Sequence, residues 1–256
     1  MLIVTAASAQ TSGFNDNRII AHRGAWKNTG HPQNSLASFR AAAEMGCHGS
    51  ECDVHLTSDD SLVVYHDLKH GGMLIEATPY AELANVPLKN GETIPTLRQY
   101  IARAMKQHGT KLIIDIKTPR EAARATDIAL AADKLVKQMG ADEWVEYLAG
   151  YLPAIDALRR VTDLPVAYLG RWRDEVPEMN PDTVKRRGIK YIDYEDRHYL
   201  AHPEWVDALR RQGVHLNAWI VNDEERMDWF IERDFDYITT DEPEKLFEKY
   251  AAKAGK

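Results

Sequence analysis

Strand-like and helix-like segments alternate along almost the whole chain, and that alternation does most to narrow the fold. Apolar, β-rich runs occur at residues 18–23, 50–56, 62–66, 111–116, 145–149, 165–169, 190–194, 215–221 and 236–240. Between most of them lie amphipathic stretches with helix punctuation. Ser35 to Met45 has Asn34 or Ser35 as N-cap and Gly46 as stop, Leu97 to Gln107 follows Pro95-Thr96, and Arg120 to Met139 ends at Gly140. Pro153 to Val161, Pro181 to Arg187 and Pro203 to Gln212 each begin on a proline, as a first helical turn allows, and Gly188 and Gly213 close the last two. Asp223 caps a helix running to about Arg233, and Glu244 to Lys253 reads as a terminal helix. Such repetition implies a parallel sheet, because each crossover returns the chain in the same direction. Nine runs in 256 residues suit an α/β barrel of eight strands with one extra pairing. The runs at 50–56 and 62–66 leave no room for a helix between them, so one is expected to be irregular. An open doubly wound sheet is the alternative, but the chain has no Gly-x-Gly-x-x-Gly fingerprint to favour dinucleotide binding.

No linker or low-complexity stretch divides residues 18–256, which read as a single domain. Residues 68–95 are the least regular part (Gly71-Gly72, Pro79, Pro87, Asn90-Gly91) and are expected to form a small insertion over the barrel mouth. Residues 1–17 read as a signal-peptide remnant and tail. Leu2-Ile3-Val4 followed by Ala7-Ser8-Ala9-Gln10 has a small-residue cleavage pattern but lacks a basic n-region. The expectation is a periplasmic or secreted protein, with the cytoplasm as the alternative. No other run is long enough to span a membrane. The net charge of -7 argues against a broad nucleic-acid surface, so an anionic ligand must be met by local cations or a bound metal. Cys47 and Cys52 are too few for a disulfide framework; Cys52 alternates with Glu51 and Asp53 and is expected to lie buried under a helix.

The chemistry gathers at strand ends. His22-Arg23-Gly24 closes the first run, Glu51-Cys52-Asp53 lies in the second, His66-Asp67 ends the third, and Asp115-Ile116-Lys117 ends the fourth. In a parallel barrel the C-terminal strand ends share one rim. Residues two apart share a face, so Glu51 aligns with Asp53 and Asp115 with Lys117. Three converging carboxylates would repel one another and any phosphate unless a hard cation such as Mg²⁺ or Ca²⁺ lay between them. The competing reading is a structural charge network in which Glu51 and Asp115 pair with Arg23 and Lys117. His22 and His66 suit general acid and base, although a strand-end histidine is commonly a hydrogen-bonded structural residue. Arg23 can grip phosphate with its fork and Lys117 can add a point charge. Trp219 offers an apolar wall or is a core residue. Asn222 reads as a helix cap or mouth residue, and Asp241 as a cap for the terminal helix.

Taken together, His22-Arg23-Gly24, Pro32-Gln33-Asn34-Ser35, Glu51-x-Asp53-Val54, Thr57-x-Asp59, Val64-x-His66-Asp67, Ile94-Pro95-Thr96-Leu97, Asp115-Ile116-Lys117, Trp219-Ile220-Val221-Asn222 and Thr240-Asp241-x-Pro243 resemble the ordered motifs of glycerophosphodiester phosphodiesterases. The resemblance runs from about residue 18 to 248. It implies a TIM barrel, a divalent metal, and hydrolysis of glycerophosphodiesters to sn-glycerol 3-phosphate and an alcohol; with Mg²⁺ or Ca²⁺ as the ion, the expected route runs through a cyclic phosphate. By the same resemblance His22 and His66 look like the acid–base pair. Glu51, Asp53 and Asp115 look like metal ligands, and Arg23 and Lys117 like phosphate ligands; Trp219, from its place on the strand face, is the candidate substrate contact. The chain departs from the family pattern at Asp115 and Gln33, where the family usually has Glu. A phospholipase-D-type barrel acting on lysophospholipids, a two-carboxylate glycoside hydrolase and a non-catalytic phosphodiester-binding barrel are the alternatives.

Overall fold

The computed structural model describes residues 13–172 and 179–255. Most of the signal-like segment, residues 1–12, lies outside the described residues. In chain order the elements are β1 (Ile19–Ala21), α1 (Leu36–Met45), β2 (Gly49–Leu56), β3 (Leu62–Val64), β4 (Lys69–His70), β5 (Met73–Leu74), α2 (Tyr80–Leu83), α3 (Leu97–Ala104), β6 (Lys111–Ile116), α4 (Arg124–Met139), β7 (Val145–Ala149) and α5 (Leu152–Val161). There follow β8 (Val166–Gly170), α6 (Pro181–Arg187), β9 (Tyr191–Glu195), α7 (Asp196–Ala201), α8 (Glu204–Arg210), β10 (His215–Trp219), α9 (Glu224–Glu232), β11 (Tyr237–Thr240) and α10 (Pro243–Ala254). Strands β1, β2, β6, β7, β8, β9, β10 and β11 pair in parallel in that order, and β1 pairs with both β2 and β11. The sheet therefore closes into a (β/α)8 TIM barrel, and the open doubly wound alternative is excluded.

The irregular member of the early pair is the 62–66 run. Only Leu62–Val64 is extended, and it folds back antiparallel on β2 with Val54 opposite Val64. The Tyr65 N–H then donates to the Asp53 carbonyl at 2.9 Å, which delivers His66 to the rim beside β2. Beyond it, β4 and β5 pair as a small separate hairpin outside the barrel. Several expected bounds need correction. Helix α4 starts at Arg124 rather than Arg120, because the loop before it is tied to Glu76: Arg120 N–H and the Arg124 guanidinium both donate to that residue. The helix read as Pro203 to Gln212 is shorter, and α7 precedes it immediately after β9, where no turn signal announces a helix. Strand β10 stops at Trp219, and the Trp219–Ile220 peptide is cis.

Period-two alternation sorts the strands. Outward positions such as Cys52, Val54, Leu112, Ile114 and Ile116 pack with α3, α4 and α5 into one half of the helix-side core. Residues of β1, β9, β10 and β11 pack with α8 and α9 into the other. Inward positions Ile20, Ile113, Leu148 and Leu169 form a plug inside the barrel. The polar residues of the rim continue these inward rows: Ile20 then His22, Glu51 then Asp53, Ile113 then Asp115 then Lys117. Both cysteines are buried and free, and burial pushes the Cys47 thiol up to about 12.

The β1–α1 turn is the tightest junction. Arg23 and Gly24 both take positive φ, 58° and 80°. A Cβ on Gly24 would fall 2.5 Å from Ser38 Oγ and 2.6 Å from the Ser38 carbonyl carbon. Ser35 caps α1 and forms a capping box with Ser38, which fixes that neighbour in place. Gly24→Ala combines backbone strain with overpacking, and should lower unfolding free energy by about 2–4 kcal/mol in urea denaturation. A loss below roughly 0.5 kcal/mol, the scatter of ordinary surface changes, would contradict this account.

Candidate active site

A cleft of about 350 Å³ opens at the C-terminal rim of the barrel. His22, Arg23, Glu51, Asp53, His66, Asp115, Lys117 and Trp219 all line it, joined by Leu148, Leu169, Arg171, Asp193 and Thr239. The structure thus brings together every residue singled out from the sequence for chemistry. The additional members Arg171, Asp193 and Thr239 were not singled out.

Asp53 is the hub of the charged groups. Lys117 Nζ donates to its Oδ1 at 2.9 Å, and Asn34 donates to its Oδ2 at 2.7 Å. Arg23 Nε lies 3.3 Å from Oδ2, close enough to attract but not aligned as a hydrogen bond. Burial opposes ionisation of Asp53, but Lys117 and Arg23 outweigh it and hold the carboxyl below its usual range. Asn34, offered by the sequence as a helix cap, serves this carboxylate instead. Glu51 and Asp115 are pushed the other way. Burial raises both, and the negative charge of Asp53 adds to it. Glu51 Oε2 accepts from the Arg23 backbone N–H at 2.9 Å, and Asp115 Oδ2 accepts from Lys117 at 3.3 Å. Asp115 Oδ1 is buried without a hydrogen-bond partner among the described residues. The Lys117 ammonium, though burial disfavours it, is held charged by Asp115 and Asp53. The Arg23 fork reaches Gln33 Oε1 at 2.6 Å.

Oxygens of Glu51, Asp53 and Asp115 lie within 4.8 Å of one another. Two ligands of one hard cation at about 2.3–2.6 Å each can be no further apart than about this. All three side chains offer oxygen, and Asp115 Oδ1 has no partner among the described residues, so the donor set fits a hard divalent cation.

Each histidine is tied at Nδ1 to a carboxylate. His22 Nδ1 lies 2.7 Å from Asp241 Oδ1, and His66 Nδ1 lies 2.8 Å from Asp67 Oδ1. With a proton on Nδ1, Nε2 of each ring is left free to accept. Burial, with Lys117 and Arg23 nearby, lowers the His66 pKa against the pull of Asp53. His55, held neutral by burial with a pKa of about 4, hydrogen-bonds the His66 carbonyl and steadies that loop. Asp241 is not the cap of α10; Glu242 occupies that position. Asp241 instead accepts from Trp26 Nε1 at 3.3 Å and from Asn222 at 2.7 Å while holding His22. Asn222 in turn receives the Asp241 N–H, and Asp223 is the cap of α9. Trp219 stands on the far wall, its Nε1 donating to the Asp193 carbonyl at 3.0 Å, with the Arg171 guanidinium 6.0 Å from its ring.

A family model described as the glycerophosphoryl diester phosphodiesterase family matches residues 22–245. The chain belongs to this family. Among its relatives, a glycerophosphodiester phosphodiesterase of Caldanaerobacter subterraneus is 27% identical, covering 89% of this chain and 95% of the relative. Among solved structures, a glycerophosphodiester phosphodiesterase from Parabacteroides distasonis is 36% identical with a TM-score of 0.86, covering 94% of this chain and all (100%) of that one. An Oleispira antarctica phosphodiesterase, solved with the product sn-glycerol-3-phosphate, shares the fold at 22% identity and a TM-score of 0.78, covering 91% of this chain and 96% of that one.

The buried acids make a testable demand on stability. Glu51 has a raised folded-state pKa, so above the ordinary carboxylate range its ionisation in the unfolded chain opposes folding of the metal-free protein. Glu51→Gln should therefore raise the melting temperature at pH 8 in chelator, and the gain should vanish as pH falls through about 4.3, where both states are protonated. Excess Ca²⁺ or Mg²⁺ should reverse the sign, because the variant then lacks a ligand. Calorimetric scans across pH, with and without ion, check all three.

Proposed function

We propose that this protein is a metal-dependent phosphodiesterase that hydrolyses glycerophosphodiesters to sn-glycerol 3-phosphate and an alcohol. The observation that carries the reading is the convergence, in one cleft, of two carboxylate-paired histidines with a three-acid oxygen cluster and two cations. Family membership and the product bound to the Oleispira relative support it. The signal-like N-terminus supports a periplasmic or secreted location.

Glu51, Asp53 and Asp115 would hold the divalent ion, which supplies neutralising charge to the carboxylates and to the phosphate oxygens. Arg23 and Lys117 stand beside that position and bind the phosphodiester anion. One imidazole takes the proton of the glycerol 2-hydroxyl on its free Nε2, and the hydroxyl oxygen attacks phosphorus. The other, starting protonated, gives its proton to the departing alcohol oxygen. Water then opens the cyclic phosphate with the two roles exchanged. Asp241 and Asp67 keep the Nδ1 proton in place through both steps and stabilise each imidazolium as it forms.

The test is an assay on glycerophosphocholine, glycerophosphoethanolamine and glycerophosphoglycerol, with lysophosphatidylcholine as a lipid arm. Release of sn-glycerol 3-phosphate should be lost in chelator and return with Mg²⁺ or Ca²⁺. Silence on all three diesters under either ion would overturn the reading, and preference for the lipid would move it to the phospholipase class. His22→Ala and His66→Ala should each reduce kcat about 10²–10⁴-fold. Asp241→Asn should cost at least about 10²-fold in kcat with little change in KM, because the amide no longer holds the Nδ1 proton of His22. Unchanged turnover in that variant would remove Asp241 from the acid–base machinery.

A further inference from the structure

Asp193 is a carboxyl that neither the acid–base pair nor the three-acid cluster uses. It sits on an inward position of β9, is 3% exposed, and lines the cleft. Its Oδ1 is buried without a hydrogen-bond partner among the described residues. Its neighbour in register on β10 is Asn217, whose Oδ1 is likewise unpartnered among the described residues and whose amide donates to Thr239 Oγ1. Buried polar oxygens are nearly always paired, so one facing a cleft marks a place where a ligand or water belongs. A second cation is a poor occupant: Asp193 is not among the acids whose oxygens gather around one point. Two apolar side chains flank it. Leu169 lies opposite it in register on β8, and Trp219 is fastened beside it through the indole bond to its own carbonyl.

An apolar wall with a single buried carboxyl suits a short polyol, whose carbons lie on the wall while a hydroxyl meets the carboxyl. We propose that Asp193 is a specificity-determining residue that hydrogen-bonds the terminal hydroxyl of the glycerol half of the substrate, with Leu169 and Trp219 against its carbons. The 2-hydroxyl is already claimed by a histidine, so the terminal one is left for Asp193. Burial and the nearby Asp115 push the Asp193 carboxyl well above its usual range, against the pull of the Asn217 amide. A protonated carboxyl both donates and accepts, matching a hydroxyl that does the same. This assignment rests on the glycerophosphodiester reading.

The experiment compares glycerophosphocholine with its analogue built on propane-1,2-diol, which keeps the 2-hydroxyl and lacks only the terminal one. The wild-type protein should prefer the glycerol substrate by about 10–100-fold in kcat/KM, the range of one buried hydrogen bond to such a group. Asp193→Leu should collapse that ratio to within about 3-fold, and Asp193→Asn, which can still hydrogen-bond, should keep most of it. A merely structural carboxyl would lower both substrates together and leave the ratio intact, and that result overturns the proposal. Should Asp193→Leu fail to fold, Asp193→Ala gives the same reading. If the wild-type protein turns over neither substrate, the phosphodiesterase reading fails by itself. Calorimetric affinities for sn-glycerol 3-phosphate and propane-1,2-diol phosphate then give the ratio in wild type and variants without turnover, and an unchanged ratio overturns the assignment of Asp193.

Discussion

Everything at the rim depends on the short strand β1, whose residues pair with β11 on one side and β2 on the other. Without that seam the sheet would stay open between β11 and β2. With it, residues far apart in sequence meet: the His22 N–H donates to Thr240 at 2.9 Å, and the His22 ring reaches Asp241, 219 positions away. Parallel pairing puts every C-terminal strand end on the same side. The inward rows then deliver their last residues to one cleft, so closure and site assembly are the same event.

The cleft that results has two unlike sides. Strands β2 and β6 contribute the acids and Lys117, whereas β7, β8 and β10 contribute Leu148, Leu169 and Trp219. On the charged side, Lys117 and Arg23 hold Asp53 ionised against burial, while burial and the neighbouring acids raise Glu51 and Asp115. Such a cluster is poorly matched to an empty site at neutral pH, since buried charges stabilise only when fully compensated.

The barrel was legible because strand and helix periodicities differ and because Gly46, Gly140, Gly188 and Gly213 punctuate the helices. The acids were legible because Glu51 and Asp53, like Asp115 and Lys117, are two apart. Asp241 was misread because an acid between a strand and a proline-started helix has the same local signature whether it caps the helix or turns to the rim; only the distant His22 decides. Asp193 was passed over for a different reason. Parallel barrel strands are buried on both faces, so Tyr191-Ile192-Asp193-Tyr194-Glu195 gives no amphipathic cue to which face looks inward. Asn34 shows the limit of cap logic: Ser35, one residue on, caps α1, and Asn34 with its positive φ of 58° turns to Asp53.

Arg23 and Lys117 are assigned to phosphate on the proposed reading, yet both are engaged with the protein. Lys117 spends two of its three donors on Asp53 and Asp115, and Arg23 is turned between Asp53 and Gln33. Neither can serve a phosphate fully while it is compensating the acids. On that reading, an ion held by Glu51, Asp53 and Asp115 would take over that compensation and free donors for substrate, so ion and phosphodiester should strengthen each other's binding by the same factor. Asp115 suits this exchange despite its short side chain. Its Oδ2 keeps Lys117 in place while its orphan Oδ1 remains for the ion, one oxygen for each task.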